Sequence, residues 1–360
     1  MDFSFITSTF DTLRLTPRSK LTLLEGHLFS PLHYPPTPPD SDTLILNIDS
    51  QELALQIKKV LLSVYPELHE VSLVEDGKWK VEKLKDIGNA FSSSFNLFIP
   101  SLGEGTSFES FAEIVGHLRA PDGCPWDKEQ THQTLRKHLL EESYETISAM
   151  DNNSVPEMRE EFGDLLLQIV LNAQIGSETR EFNSTQIIKH IYDKIVRRHP
   201  HVFGDLKLDG VDDVLQNWEK LKEKERGKKK EDKGILDGVP ISLPALSQAQ
   251  EYQDRAARVG FDWKEIDGVL DKIKEEIEEI KKAESDFELA SEIGDLFFVL
   301  VNFARWKSVD AESALRNANM KFKKRFAHVE KRAKEQNKNL SDMSLQEMDS
   351  FWNEAKVLGY

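Results

Sequence analysis

Residues 107–360 carry the same chemical pattern twice. The first copy has Glu142 and Glu145 three apart, then Glu161-Phe-Gly-Asp164. The second has Glu276 and Glu279, then Glu292-Ile-Gly-Asp295. Each acidic set is followed by a Lys-x-x-x-Arg pair and a tryptophan: Lys194, Arg198 and Trp218, then Lys321, Arg325 and Trp352. Residues three apart on a helix share a face, so each pair of acids makes neighbouring carboxylates, and two such helices side by side bring four together. The sequences after the acids, Leu165-Leu-Leu-Gln-Ile-Val-Leu171 and Leu296-Phe-Phe-Val-Leu-Val301, are apolar almost all round, as in a bundle interior. Four carboxylates at the edge of such a core would cost several kcal/mol per ion without a counter-charge. A hard divalent cation removes that cost. Oxygen ligands with no neighbouring His or Cys suit Mg²⁺, with Mn²⁺ as the substitute. Magnesium held by few carboxylates completes its shell from water and substrate phosphates, which points to a polyphosphate substrate. Lys321 and Arg325 on one helical face could clamp its oxygens, and Trp352 could stack on a base. The implied chemistry is metal-assisted hydrolysis.

A bland alternative stands beside this. Duplication would also preserve structural salt bridges between the acids and the Lys/Arg pairs, and Trp218 and Trp352 taken alone fit core or interface packing. Gly163 and Gly294, inside the second acidic pair of each repeat, lower helix propensity by roughly 1 kcal/mol, which a close neighbouring helix or a ligand would explain. Cys124 reads as a small apolar residue in a turn before a helix, since no histidine base is placed beside it. His199-Pro-His201 reads as a helix stop rather than a metal site.

The elements that position these groups differ along the chain. Pro31 to Pro39 reads as an extended connector. After it the texture is α/β: strands at 43–49, 70–74 and 95–99, and a helix at 51–65. From Ser107 onward the apolar spacing is helical, with long segments near 131–150, 157–178, 185–199, 211–226, 265–284, 287–307, 310–336 and 344–357. Lys220 to Lys233 reads as a solvated linker. The expected organisation is mainly all-α, with a small α/β segment at 1–105, helical domains at 106–226 and 245–360, and a linker at 227–244.

Composition narrows the function. With 360 residues, 39% hydrophobic and 31% charged, the chain is globular, and its net charge of -16 argues against a nucleic-acid polymer as partner. One cysteine precludes an intrachain disulfide, and no apolar stretch is long enough for a signal peptide or a membrane span, so the expected setting is the cytoplasm.

The segments Gly123-Cys-Pro-Trp-Asp-Lys-Glu-Gln-Thr131, Leu140-Glu-Glu-Ser-Tyr-Glu145, Glu161-Phe-Gly-Asp-Leu-Leu166, Arg197-Arg-His-Pro-His-Val-Phe203, Val259-Gly-Phe-Asp-Trp263 and Lys321-Phe-Lys-Lys-Arg-Phe326 resemble the MazG nucleoside triphosphate pyrophosphohydrolases. The resemblance covers about 107–358. It implies tandem all-α repeats whose four-helix bundle is completed by a homodimer, acting with Mg²⁺ on nucleoside triphosphates to release pyrophosphate. It also implies metal ligation and catalysis by Glu276, Glu279, Glu292 and Asp295, and nucleotide contacts from Lys272, Lys321, Arg325 and Trp352. It favours the second repeat as the active one, with Glu142, Glu145, Glu161 and Asp164 as a second possible metal site and Lys194, Arg198 and Trp218 beside it. One departure is Glu288, where similar proteins carry a lysine, so the alternative is a nucleotide-binding regulator with weak catalysis. Residues 1–100 resemble the closing portion of a tetrapyrrole methylase domain, on Tyr65-Pro-Glu-Leu-His-Glu-Val-Ser-Leu-Val74 and Phe95-Asn-Leu-Phe-Ile-Pro100. No glycine-rich cofactor loop precedes residue 40, so no methyltransferase activity is expected.

Overall fold

A computed structural model describes residues 20–75, 78–89, 91–211, 213–214, 217–218, 221 and 234–360. Apart from Leu221, the run from Lys220 to Lys233 lies outside the described residues, as does most of the helix expected at 211–226. The chain divides into two compact units, Met1–Arg197 and Arg198–Tyr360.

The first unit opens with a five-stranded sheet of order β1-β2-β5-β3-β4, built from β1 Leu21–Glu25, β2 Asp42–Ile48, β3 Glu70–Glu75, β4 Lys78–Lys83 and β5 Phe95–Ile99. β1 pairs parallel to β2, while the β2–β5, β3–β5 and β3–β4 pairs are antiparallel. Helix α1, Gln51–Leu61, starts at the Ser50 cap and buries Ala54, Ile57 and Leu61 against Ile45, Ile48 and Leu97. It ends four residues earlier than its apolar spacing predicts, because a turn precedes Pro66. The edge strands β1 and β4 are additions to the expected set.

Helices follow: α2 Phe108–Arg119, α3 Pro125–Glu129, α4 Arg136–Asp151, α5 Val155–Glu178 and α6 Ser184–Arg198. Cys124 is the residue before α3, whose first position is proline, as the turn-then-helix reading requires. A three-residue connection folds α5 back along α4, and Val115 of α2 packs with Leu171 and Ile175 of α5. Pro200 ends α6 and begins the single turn α7, Pro200–Phe203, in the second unit.

The second unit repeats this plan with α8 Ala245–Arg258, α9 Ile266–Lys282, α10 Asp286–Trp306, α11 Ala311–Glu335 and α12 Leu345–Val357. Ser285, Asp310 and Ser344 cap the last three by accepting backbone N–H groups. The α9–α10 pair is the counterpart of α4–α5, α8 packs on α10, and α11 packs chiefly on α12. Neither acidic hairpin is covered on all sides. Tyr144, Phe162, Leu166 and Ile169 are exposed on the first, and Ile277, Leu289, Ile293 and Phe297 on the second. Among the described residues no helix is long and apolar enough to cross a membrane.

Candidate active site

The duplicated acids converge in both units. In the second, carboxylate oxygens of Glu276, from α9, and of Glu292 and Asp295, from α10, lie within 4.8 Å of one another. Glu279 joins this group electrostatically. Burial first, then the charges of Glu279, Glu276 and Asp295, push the Glu292 carboxyl above its usual range. In the first unit Glu142, Glu145 and Glu161 meet within the same distance. Burial and then Asp164 raise Glu142, while burial and then Glu145 raise Glu161. Each hairpin therefore brings three of its four acids within 4.8 Å, and the fourth acts on them through its charge.

The clusters differ in their counter-charge. Glu276 is 2% exposed, and its Oε1 accepts from Lys272 Nζ at 2.7 Å. Lys272 also reaches Glu275 at 2.8 Å; these two hydrogen bonds, Glu275 first, hold its ammonium well above the ordinary lysine range. Glu276 Oε2 has no partner although it is buried. A buried, unpaired carboxylate oxygen facing two further acids fits a hard divalent cation, and one lysine does not balance the set. The ion pair that Glu276 makes is with Lys272, outside the Lys-x-x-x-Arg pairs, and it leaves the other oxygen unexplained. Four residues before Glu142 the first unit has His138, 3.7 Å from Glu141.

Gly163 and Gly294 do not accommodate a neighbouring helix: a Cβ on either would meet nothing within 4 Å. Both lie on the open side of their hairpins. Glu288 has a local role. Its N–H donates to Ser285 Oγ and its Oε2 accepts from Glu284 N at 2.9 Å, so it closes the start of α10.

The basic and aromatic groups form a second assembly. Lys321 is exposed on α11, and Arg325, one turn on, lies 5.6 Å over the Trp352 ring while its Nε donates to Tyr360 O. Trp352 also packs on Phe322 at 5.1 Å between centroids. It is thus built into the α11–α12 contact, where it supports Arg325. Lys194 and Arg198 are half-buried on successive turns of α6, at whose end the chain passes from one unit to the other; Trp218 is half-buried in the second unit.

Sequence spacing missed one polar group. Asp262, before α9, accepts from Arg305 Nη2 at 2.7 Å and Trp306 Nε1 at 3.2 Å, and Arg305 also donates to Asn302 Oδ1. Burial alone would raise the Asp262 carboxyl, but these donors, Arg305 foremost, hold it below its ordinary value. The available signal was Asn302 itself, a lone amide after an apolar run.

Comparison with known proteins agrees with this geometry. The family model of the MazG nucleotide pyrophosphohydrolase domain matches residues 130–203 and again 265–330, each span containing one acid cluster. The chain is 42% identical over 252 residues to the nucleoside triphosphate pyrophosphohydrolase/pyrophosphatase MazG of Thermotoga maritima, a match covering 70% of this chain and 96% of that one. It is 42% identical over 249 residues to the nucleoside triphosphate pyrophosphohydrolase of Escherichia coli K12, covering 68% and 94%. Similarity to the uncharacterized protein YabN of Bacillus subtilis extends further, at 38% over 373 residues, 98% of this chain and 74% of that one. Tandem helical repeats, converged acids and these relatives together establish that the chain belongs to the MazG family.

Proposed function

We propose that this protein hydrolyses nucleoside triphosphates, ribo- or deoxyribo-, to the monophosphate and pyrophosphate, clearing nucleotides from the cytoplasmic pool. The observation that carries the reading is the buried, unpartnered Oε2 of Glu276 inside a cluster of acids repeated in both units. Glu276, Glu279, Glu292 and Asp295 would hold Mg²⁺, with Mn²⁺ as a substitute, and Glu142, Glu145, Glu161 and Asp164 form the corresponding set at 106–226. When bound, the metal supplies Lewis-acid polarisation and neutralises negative charge on the phosphates.

The chain's own residues supply the rest. Lys272 presents an ammonium at the rim of the acids, and Lys321 and Arg325 offer further donors for phosphate oxygens, Arg325 being oriented by Trp352. Hydrolysis to these products breaks one phosphoanhydride bond, with water adding its hydroxyl to one side and its proton to the other. The exposed apolar stripe Leu289, Ile293 and Phe297 on α10 supports assembly as a homodimer, because a two-helix hairpin needs a second layer to bury such a face. Neither nucleic-acid polymer nor membrane is required.

The test is pyrophosphate release across a panel of NTPs and dNTPs with Mg²⁺. Wild-type protein should release it, and Glu276→Ala and Asp295→Ala should abolish release from the second repeat. No release by wild type, or full release by both variants in a Glu145→Ala background, would sink the proposal.

A further inference from the structure

Helix α12 ends in a turn that brings one residue back against α11. Leu358 closes the helix, and Gly359 follows with φ +84°, the left-handed conformation that glycine adopts without strain. The Gly359 N–H donates to Lys356 O at 3.2 Å and the Tyr360 N–H to Ala355 O at 3.1 Å, the paired bonds of a Schellman turn. Such a turn reverses the chain beside the last helical turn. Main-chain geometry therefore fixes the place of Tyr360, although the residue is 49% exposed.

What Tyr360 meets there is one stripe of α11. Lys321, Arg325, His328 and Arg332 follow one another at spacings of four, three and four, which places them on a single helical face. The Tyr360 ring lies 5.6 Å from that of His328, and its main-chain oxygen accepts from Arg325 Nε at 2.8 Å. Glu354 of α12 anchors the same stripe: its Oε1 lies 3.6 Å from His328 Nε2, and its Oε2 accepts from Arg332 Nε at 3.1 Å.

The Arg325 guanidinium is thus gripped at one corner. It lies over Trp352, its Nε donates to Tyr360, and its two terminal nitrogens make no hydrogen bond to any described residue. A guanidinium holds five N–H groups in a rigid plane, so fixing Nε also fixes the directions of the other four. Those four form the edge that binds two phosphate oxygens at once. The sequence of the first repeat carries no equivalent of the turn. Seven and eight residues after Trp352 stand Gly359 and Tyr360; seven and eight after Trp218 stand Glu225 and Arg226, neither a glycine nor an aromatic.

Resting on the hydrolase reading above, we infer that Tyr360 is a positioning residue for the second repeat: its main-chain oxygen, held by the Schellman turn and the His328 ring, sets the Arg325 guanidinium with both terminal nitrogens left for substrate phosphates. An untethered arginine must be ordered by each substrate that binds, and Tyr360 orders this one beforehand. The gain lies in binding, so it enters KM and not kcat when substrate and transition state share the contact.

The experiment measures kcat and KM for pyrophosphate release with Mg²⁺, using whichever nucleotide of the panel above is turned over fastest, in the full chain carrying Glu145→Ala so that the second acid cluster alone is intact. Removing residues 359–360 should raise KM about three- to ten-fold, the cost of ordering one long side chain, and leave kcat unchanged. Tyr360→Ala, which keeps the chain length but loses the ring contact with His328, should shift KM in the same direction, and Tyr360→Phe should behave as the parent. With Arg325→Ala also present, neither the removal nor Tyr360→Ala should move KM, because no guanidinium is left to orient. An unchanged KM in both variants, a lower KM, or a loss confined to kcat overturns the inference. So does an undiminished effect alongside Arg325→Ala, which makes the turn a structural support alone, and so does activity that vanishes with Glu145→Ala. Release of no pyrophosphate by wild type from any nucleotide would instead remove the hydrolase reading, and this inference with it.

Discussion

Replacing Glu276 by glutamine separates a metal site from a structural ion pair, because the two predict opposite signs. Without metal, Glu276 holds a buried carboxylate oxygen with no partner. An unsatisfied buried polar atom costs about 1–3 kcal/mol, and more when charged. Glutamine is isosteric and neutral, and its amide oxygen can still accept from Lys272, which also keeps Glu275 at 2.8 Å. Metal-free Glu276→Gln should therefore be more stable than the parent by about 1 kcal/mol. For a unit the size of Arg198–Tyr360 that is about 2–4 °C in Tm. With Mg²⁺ the order should reverse. At a hundred-fold excess over its Kd, a ligand bound only by the folded state adds ~2.7 kcal/mol, or ~5–11 °C here, and the variant should lose most of this gain. The assay is calorimetric unfolding with Mg²⁺ and with chelator, in a Glu145→Ala background that silences the first cluster. If the acid is present for its pair with Lys272, the variant will melt lower in chelator and keep the full Mg²⁺ shift, and the reasoning fails.

Four other outcomes follow from the same geometry. A Cβ at Gly268 would overlap the Trp263 indole, so Gly268→Ala, despite better helix propensity, should lose about 1–3 kcal/mol in denaturant titration. Ser285→Ala removes the cap of α10 and should cost ~1 kcal/mol by the same measurement. Glu347, in the capping box of α12, is held down to about 2 from 4.5 by Lys338 first and then by the Ser344 backbone. A depressed folded value favours the ionised form, so its contribution is complete above about 4.5 and disappears as pH falls toward 2; Glu347→Gln should flatten that part of the stability–pH curve. Phe297→Glu should shift the chain toward monomer in sedimentation, and an unchanged dimer would exclude α10 from the interface.

Much of the site was legible because its chemistry is periodic: carboxylates three apart on helices need only the helix to converge, and the duplication marks them twice. Strands β2, β3 and β5 were legible for a similar reason, being buried runs of branched and aromatic residues. The edge strand β4, Lys-Trp-Lys-Val-Glu-Lys, was not, because alternating charges at a solvent-facing edge resemble a loop until Lys83 is seen opposite Glu70. Helix α8 is so polar that its buried side, with Gln253 and Arg255, emerges only from its packing on α10. The sequence offered Trp352 either as a stacking platform or as a packing residue, and its contacts with Phe322 and Arg325 emerge only from the fold. Such roles depend on which helices touch, and spacing along one helix does not encode that.

Lys272 carries a consequence of its own. An ammonium tethered to Glu276 keeps part of the acidic charge balanced whether or not an ion is present, so the second hairpin does not depend on metal to hold its shape. Removing metal should silence such a protein without unfolding it, and activity should return when the ion is restored. The first hairpin has a histidine at that place, His138, set 3.7 Å from Glu141, so it lacks this tether and becomes the more sensitive of the two to scarcity of divalent ions.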